Sequence, residues 1–263
     1  MTQHVTAGGL LSYVARPAAL GNAKIGGAGL ARWTLGAAAL LAAGLAVPSV
    51  AAEKRFGLTS FERVELLVDA NVEIIPEAPV SALATGDQDA LDRLVMETRD
   101  GRLVISMRRY AGDDKRVARS GPLHLRLYAP SLRSISVVGA GTVRVGRLRG
   151  QRVMIALQGP GSIDVADITA DQLALNMVGN GRIRAAGKVK QAQMNLAGAS
   201  QLQGAALLVD DVTLQNEGAG DHHLTVLKRA KITSRGAGRI AIDGRPSCAV
   251  ENMGIGSVIC GRK

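Results

Sequence analysis

The sequence predicts an all-β protein whose larger part is a single-stranded β-solenoid of about seven coils of 18–20 residues with Gly-x-Gly corners. Two patterns predict this fold: a Gly-x-Gly signature that recurs at a nearly fixed interval, and apolar residues that alternate on both sides of it. Composition agrees with them. The chain is 47% apolar but only 2% aromatic, and it contains 32 glycines, which favours a narrow aliphatic core.

The repeat is carried by glycine pairs. The first glycine of each copy follows the previous one after 20, 20, 19, 20, 18 and 18 residues. The predicted corner glycines are Gly139, Gly141, Gly159, Gly161, Gly179, Gly181, Gly198, Gly218, Gly220, Gly236, Gly238, Gly254 and Gly256. At Gly198 the second glycine is replaced by Ser200. Arg144 stands where a dinucleotide-binding loop needs a third glycine, so these pairs are interpreted as chain turns and no cofactor is expected.

Columns of apolar residues flank the corners. Positions four and six before each first glycine, and four and six after it, are mostly aliphatic, as in Ile155, Leu175 and Met194. A spacing of two on both sides indicates two half-buried strands per coil. Further apolar residues suggest a third short strand; they are Leu148, Ile168, Leu207 and Leu227.

Three parts of the chain are predicted. Residues 1–52 contain three basic residues, no acidic one and a 13-residue apolar run before Pro48, an order typical of a secretory signal cleaved near Ala51 or Ala52. An uncleaved anchor is the alternative. Residues 1–30 are long for the start of a signal, and an overextended start would explain them.

Residues 53–130 are predicted to be the β-rich N-terminal cap, and residues 131–263 the repeats. FERVELLVDANVEIIPE and RLVMETRDGRLVISMRR each give two alternating strands, the second pair joined at Asp100-Gly101, and LHLRLYAP gives another. Residues 108–122 read as a charged loop. We expect this part to cover the edge of the first coil or to share its core.

Over about residues 56–262 the chain resembles the auto-transporter adhesin family with a head GIN domain. The segments that carry the resemblance are FERVELLVDANVEI, DGRLVISMRR, PLHLRLYAPSLRSISVVGAGTVRV and the GAG, GPG, GNG series that ends in GIGSVICG. The resemblance implies an exported β-solenoid of bacterial envelopes and supplies no catalytic residue. Gly198-Ala-Ser200 and His222-His223 depart from the repeat.

Cys248 and Cys260, the only cysteines, fall in inward columns of the last coil. An even count in an exported protein predicts a disulfide between them, with two free thiols as the alternative. Two cysteines without a matching histidine pair do not indicate a metal site. His222 occupies an otherwise aliphatic column, where a hydrogen-bonded histidine or a local bulge is expected rather than a metal ligand.

Charge suggests one binding surface. Without residues 1–52 the net charge falls from +10 to +7. Export argues against nucleic acid, which leaves an anionic glycan, a lipid headgroup or another envelope protein as the partner. The strip of Arg144, Arg182 and Arg184 is the candidate face for an anionic ligand. The oligomeric state is left open.

The sequence therefore predicts a non-enzymatic periplasmic or envelope-exposed module for adhesion, binding or structure. The alternative is a carbohydrate-active enzyme that uses clustered carboxylates. Those carboxylates are Asp164, Asp167, Asp171, Asp210, Asp211, Glu217 and Asp221. Residues 129–263 contain no aromatic side chain to stack on a sugar, and aspartates near turns commonly serve the turn itself.

Overall fold

The computed structural model describes residues 52–108 and 122–262. Within them the protein is nearly all β and forms a β-solenoid of about six turns. The elements are β1 (Ala52–Phe56), β2 (Arg63–Leu66), β3 (Ala70–Ile75), β4 (Ser81–Gly86), α1 (Gln88–Arg93), β5 (Leu94–Arg99), β6 (Arg102–Met107), β7 (Leu123–Tyr128), β8 (Ser134–Val138), β9 (Thr142–Val145), β10 (Leu148–Gln158), β11 (Ser162–Val178), β12 (Arg182–Gly198), β13 (Gln201–Gly218), β14 (Asp221–Ser234), β15 (Arg239–Asp243), β16 (Ser247–Asn252) and β17 (Ser257–Arg262). Residues 1–51 of the predicted N-terminal extension and signal segment (residues 1–52) and residues 109–121 of the charged loop lie outside the described residues.

Successive coils stack as parallel strands in register. Ile155 pairs with Leu175, and Leu175 with Met194, and all three side chains are fully buried. The predicted inward column is therefore confirmed. Each buried aliphatic side chain contributes roughly 1.5–3 kcal/mol, so a column continued through several coils is the main source of stability.

Each coil has three faces. The pre-corner face consists of the strand segments that run into a glycine corner, and the post-corner face of those that leave it. The third face joins them through the middle of the long strands, where Leu148 and Ile168 are buried in register. Seven predicted corners lie between these faces, and seven corners bound six intervals. The seven predicted corners therefore correspond to about six turns of the solenoid, whereas the sequence predicted about seven coils.

Leu227 corrects the prediction for the third face. Leu148, Ile168 and Leu207 are buried there as expected, but Leu227 is 47% exposed. The coil that begins at Gly218 has 18 residues rather than 20. Its register jumps so that Thr225 lies beside Leu208 and Val226 beside Val209. Val226 therefore takes the inward place, and Leu227 faces outward.

Glycine is required at the corners for two reasons. Gly159 has φ +107°, a conformation that side chains disfavour. Gly236 lies outside that region, but a Cβ there would overlap the backbone carbonyl oxygen of Gly218 on the preceding coil. The later corners thus need glycine for close stacking of backbone on backbone.

The N-terminal strands continue the same stack. β2 lies between β6 and β8, and β3 lies between β7 and β9, with all four pairings parallel. The N-terminal residues therefore cover the edge of the β8–β9 coil and share its hydrophobic core. The domain boundaries at residues 52/53 and 130/131 stay predictions.

The predicted hairpin at Asp100-Gly101 is confirmed. β5 and β6 are antiparallel, and both turn residues have positive φ, 50° and 68°, as a two-residue turn between twisted strands requires. The sequence analysis missed β1, β4 and α1. The helix could have been found from Asp87, whose carboxylate accepts from the backbone N–H of Asp89 as an N-cap.

Candidate functional site

The pre-corner face carries a continuous uncharged surface, here called the neutral face. Fifteen outward positions on five consecutive strands make up this grid. The one at its C-terminal corner is Glu217, which is paired with Arg235, and the other fourteen carry no ionisable side chain. They are Ser134, Ser136, Val138, Met154, Ala156, Gln158, Ala174, Asn176, Val178, Gln193, Asn195, Ala197, Thr213 and Gln215. At about 4.8 Å between strands and about 3.3 Å per residue, the surface measures roughly 19 by 13 Å.

Amides and apolar groups share the neutral face. Asn195 Nδ2 donates to Asn176 Oδ1 at 2.9 Å across two coils. Val138, Met154 and Val178 are 38%, 47% and 55% exposed. The face therefore offers hydrogen-bond donors, acceptors and apolar contacts without a charge that binding would have to desolvate. The sequence analysis did not find it, although the outward positions between the aliphatic columns could have indicated it.

A groove borders the neutral face along the bend into the third face. Its wall includes the amides of Gln172, Gln191 and Gln193, and it is also lined by Leu173 and Ala192. Charged side chains line both ends of the groove, Arg152 towards the N-terminal coils and Asp211, Arg229 and Lys231 towards the C-terminal coils. The groove makes the edge of the neutral face concave, which favours an extended ligand over a flat contact.

A ridge of ion pairs follows the outer side of the same bend. Lys190 Nζ lies 2.7 Å from Asp171 Oδ1, and Lys228 Nζ lies 2.8 Å from Asp210 Oδ2. The hydrogen bonds to these carboxylates raise the pKa of both lysines. Opposite charges on neighbouring coils thus neutralise each other along the ridge.

The predicted arginine strip lies on the post-corner face. Arg184 Nη1 is 3.8 Å from Asp164 Oδ2, and the Arg184 guanidinium also donates to Gln203 Oε1 at 3.0 and 3.2 Å. Arg182 Nε donates to Gln201 Oε1 at 2.9 Å. These arginines are engaged by the neighbouring coils.

Arg144 lies in a column whose charges alternate. Its register partners are Glu73 on one side and Asp164 on the other, and Arg126 forms an ion pair with Glu73 at 3.2 Å. The positive charge of the strip is therefore interleaved with carboxylates. The prediction that Arg144, Arg182 and Arg184 bind an anionic ligand stays a prediction.

Six of the seven clustered carboxylates form ion pairs with the neighbouring coil. The pairs are Asp164–Arg184, Asp167–Arg147, Asp171–Lys190, Asp210–Lys228, Asp211–Arg229 and Glu217–Arg235, at 3.8, 3.4, 2.7, 2.8, 2.7 and 3.1 Å. The hydrogen bond from Arg229 lowers the pKa of Asp211. A general acid needs a raised pKa, so this arrangement disfavours acid catalysis at Asp211.

A buried polar cluster lies inside the later coils. Ser200, Asn216, His222 and Ser234 are each 2% exposed or less. His222 Nε2 lies 3.1 Å from Asn216 Oδ1, which can only accept, so Nε2 carries the proton. Asn216 Nδ2 donates to Ser234 Oγ at 3.4 Å. The expected hydrogen-bonded histidine is confirmed, and His222 stays in register with Leu202 and Ile240.

Burial determines the charge state of His222. Loss of contact with water lowers its pKa to about 4, so the ring is neutral at pH 7. Its Nδ1 and the Ser200 hydroxyl have no hydrogen-bond partner among the described residues. Asn216, Ser234 and Asn252 each stand two positions before a corner glycine, and the first two form a hydrogen-bonded ladder. Asn252 is exposed and donates instead to the carbonyl oxygen of Gly256.

The predicted disulfide is confirmed. Cys248 and Cys260 are bonded, with 6.5 Å between their Cα atoms. The bond joins β16 to β17 across the last corner. Among residues 52–108 and 122–262, no group of three or more His, Cys, Asp or Glu side chains is placed to hold a metal ion. The same ranges contain no helix with the length and hydropathy of a membrane span.

The match to a family model identifies the chain. Residues 60–246 match the family described as "Putative auto-transporter adhesin, head GIN domain". The chain belongs to this family, as its glycine series and flanking strands predicted. No curated protein matches the chain.

Solved structures share the fold at low sequence identity. A "putative adhesin" from Bacteroides fragilis superposes with a TM-score of 0.70 at 17% identity, covering 80% of this chain and 96% of that one. A "putative lipid binding protein" from Parabacteroides distasonis has a TM-score of 0.63 at 17% identity, with the same coverage. A "putative adhesin" from Parabacteroides merdae gives 0.62 at 17% identity, again covering 80% and 96%. At these identities the likeness concerns the fold alone.

Proposed function

We propose that the protein is an exported, non-enzymatic binding module of a bacterial envelope, and that the neutral face with its bordering groove is its binding surface. The observation that carries the proposal is the uncharged surface on five in-register strands of a chain whose net charge is +10. Membership in an adhesin family supports a role in binding. It also supports location at the cell surface or in the periplasm.

The chemistry of the surface favours an extended, uncharged, hydroxyl-rich ligand, such as a segment of a neutral glycan. The amides of Gln191 and Gln193 supply donors and acceptors along the groove. Gln172 supplies a donor, since its Oε1 accepts two hydrogen bonds from Arg152. Val178 and Met154 give the apolar sides of a sugar a contact surface. Charged ligands would meet no complementary charge over most of this face.

The paired carboxylates support a function without catalysis. Asp164, Asp171 and Asp211 each have a cationic partner on the neighbouring coil. A carboxylate engaged in such an ion pair is suited to a structural ladder rather than to donating a proton to a glycosidic oxygen.

A matched pair of variants tests the binding surface. Thr213→Lys places a charge on the neutral face beside the groove, and Thr169→Lys places the same charge on an exposed position of the third face. Binding of the purified protein to arrays of neutral and acidic envelope glycans is measured for each. We expect Thr213→Lys to weaken binding to neutral glycans by roughly tenfold or more, about 1.4 kcal/mol, and Thr169→Lys to leave it unchanged.

Two other results would overturn the assignment. Binding restricted to acidic glycans, sensitive to salt and abolished by Arg144→Ala or Arg184→Ala, would move the site to the arginine strip. Glycan turnover that disappears in Asp164→Asn would establish the enzyme alternative.

A further inference from the structure

We infer that the C-terminal end of the solenoid is an interface for a second copy of this chain. Within the described residues, β16 pairs only with β14, and β17 only with β15. Both strands therefore present a free backbone edge at the same level of the stack. Unpaired edges of this kind readily accept another strand.

The apolar interior is open at this end. Val250 lies in register with the buried Ile232, yet Val250 is 44% exposed because no coil follows it in the described chain. At the last corner Met253 and Ile255 are 54% and 94% exposed, and Ile259 on β17 is 43% exposed. An apolar end with two free edges is the signature of an interaction surface.

The N-terminal end is built differently. On the pre-corner face, one further strand, β5, follows β6. On the post-corner face, two further strands, β4 and then β1, follow β7. The end is therefore stepped. The edge strand β1 carries three charged side chains, Glu53, Lys54 and Arg55, whereas β16 and β17 carry one each, Glu251 and Arg262. Charged side chains on an edge oppose further pairing.

The different shapes of the two ends favour the C-terminal end of a second copy as the partner and determine its orientation. In a head-to-tail contact a flat end would meet a stepped, charged end, and both edges would not pair at once. Two flat C-terminal ends related by a twofold axis through the last corner fit each other, since β16 runs towards that corner and β17 away from it. The β16 strand of each copy then lies antiparallel to the β17 strand of the other copy, so the interface contains two equivalent strand pairs.

The side chains are compatible with this pairing. If inward residues stay inward, Val250 of one copy lies opposite Val258 of the second copy, and Ala249 lies opposite Ile259. The contact continues the aliphatic interior of both solenoids through the interface. The Cys248–Cys260 bond ties the two edge strands together, so little conformational freedom is lost when they pair.

The test compares one substitution at two exposed valines. Val250→Lys puts a charge into the open interior at the end, and Val178→Lys makes the same change at a position 55% exposed on the neutral face. The full-length exported protein is examined by sedimentation equilibrium over a range of concentrations. We expect a reversible dimer for the wild type and Val178→Lys, and a monomer for Val250→Lys. Hydrogen exchange at the β16 and β17 amides slows as the dimer forms.

Several results would overturn the inference. A protein that stays monomeric at every concentration contradicts it, whether those amides exchange freely or are protected by another part of the same chain. A dimer that survives Val250→Lys places the interface elsewhere. None of these outcomes depends on whether the neutral face binds a glycan, because each is read from self-association of the protein without any glycan present.

Discussion

The early and late coils of the solenoid share one backbone plan but differ in how they fill the space beside the corner. Two positions before the corner glycine, the earlier coils place Leu157, Met177 and Leu196, whereas the later ones place Asn216 and Ser234. All five side chains are buried. The same stack therefore accepts either aliphatic contact or a hydrogen-bonded cluster, provided that the register is kept.

The corner glycines also differ between the early and the late coils. Gly139, Gly159 and Gly179 have φ of 110°, 107° and 112°, whereas Gly218 and Gly236 lie outside the left-handed region and leave no space for a Cβ beside the preceding corner. At the first glycine of each pair, one sequence signature thus covers two physical requirements, a backbone conformation in the early coils and a lack of space for a Cβ in the late ones.

The largest expected effect comes from a charge inside the aliphatic coils. Ile163 is 1% exposed, and Ile163→Asp would bury a carboxylate without a partner. We expect a loss of more than about 4 kcal/mol in the free energy of unfolding, or failure to fold. Urea unfolding measures it, with the outward neighbour substitution Asp164→Asn as the control. An unfolding midpoint in urea that is unchanged in Ile163→Asp would show that the inward column is misassigned.

Acid should act on the late coils through His222. Its pKa is about 4 in the folded protein and about 6.5 when unfolded. Below pH 6.5 the unfolded chain binds a proton that the folded chain does not. Above about pH 6.5 the folded state therefore loses no stability through His222. As the pH falls towards 4, the free energy of unfolding decreases by about 3 kcal/mol.

The control for this effect is His222→Gln, whose side-chain amide can still donate to Asn216. The difference in unfolding free energy between wild type and variant should change with pH between about 6.5 and 4. If the two proteins lose stability in parallel over this range, His222 is not neutral and buried as described.

Corner substitutions should separate the two uses of glycine. Gly236→Ala sets a Cβ against the Gly218 carbonyl, and displacing backbone costs roughly 2–3 kcal/mol. At Gly139 the nearest atom is the movable Asp69 carboxylate, 2.7 Å from an added Cβ. There Gly139→Ala mainly incurs the conformational cost, roughly 1–2 kcal/mol. Thermal unfolding of both variants checks the order, and a larger loss at Gly139 would contradict it.

The smallest effect is expected from the exposed ladders. Asp210→Asn removes the ion pair to Lys228, whose side chain is 65% exposed. Solvent screens such a pair, so the change in unfolding free energy should lie near the detection limit and vanish in high salt. A large loss that persists in high salt would mean that the ridge contributes to stability rather than to local charge balance.

The sequence was informative wherever a period was present. The spacing of Ile155, Leu175 and Met194 predicted their column, and Asp100-Gly101 predicted its turn, because each feature depends on local residues and a regular interval. Leu227 failed because an 18-residue coil shifts the register within the third face, and the interval alone does not say where two residues are lost. The neutral face was missed because small and uncharged polar side chains on five strands define it, and these give no periodic apolar or charged pattern in the sequence.

The most direct test of the account is the straightness of an outward column. Glu65, Ser136, Ala156 and Thr233 lie in one column through successive register partners, and the native cysteines are disulfide-bonded and so do not react with labels. One spin label is placed at Thr233 and a second at Glu65, Ser136 or Ala156. The distances between the two labels should be about 29, 24 and 19 Å respectively, at about 4.8 Å per coil. Distances that do not rise by one coil spacing per step would contradict the in-register stack and the neutral face built on it.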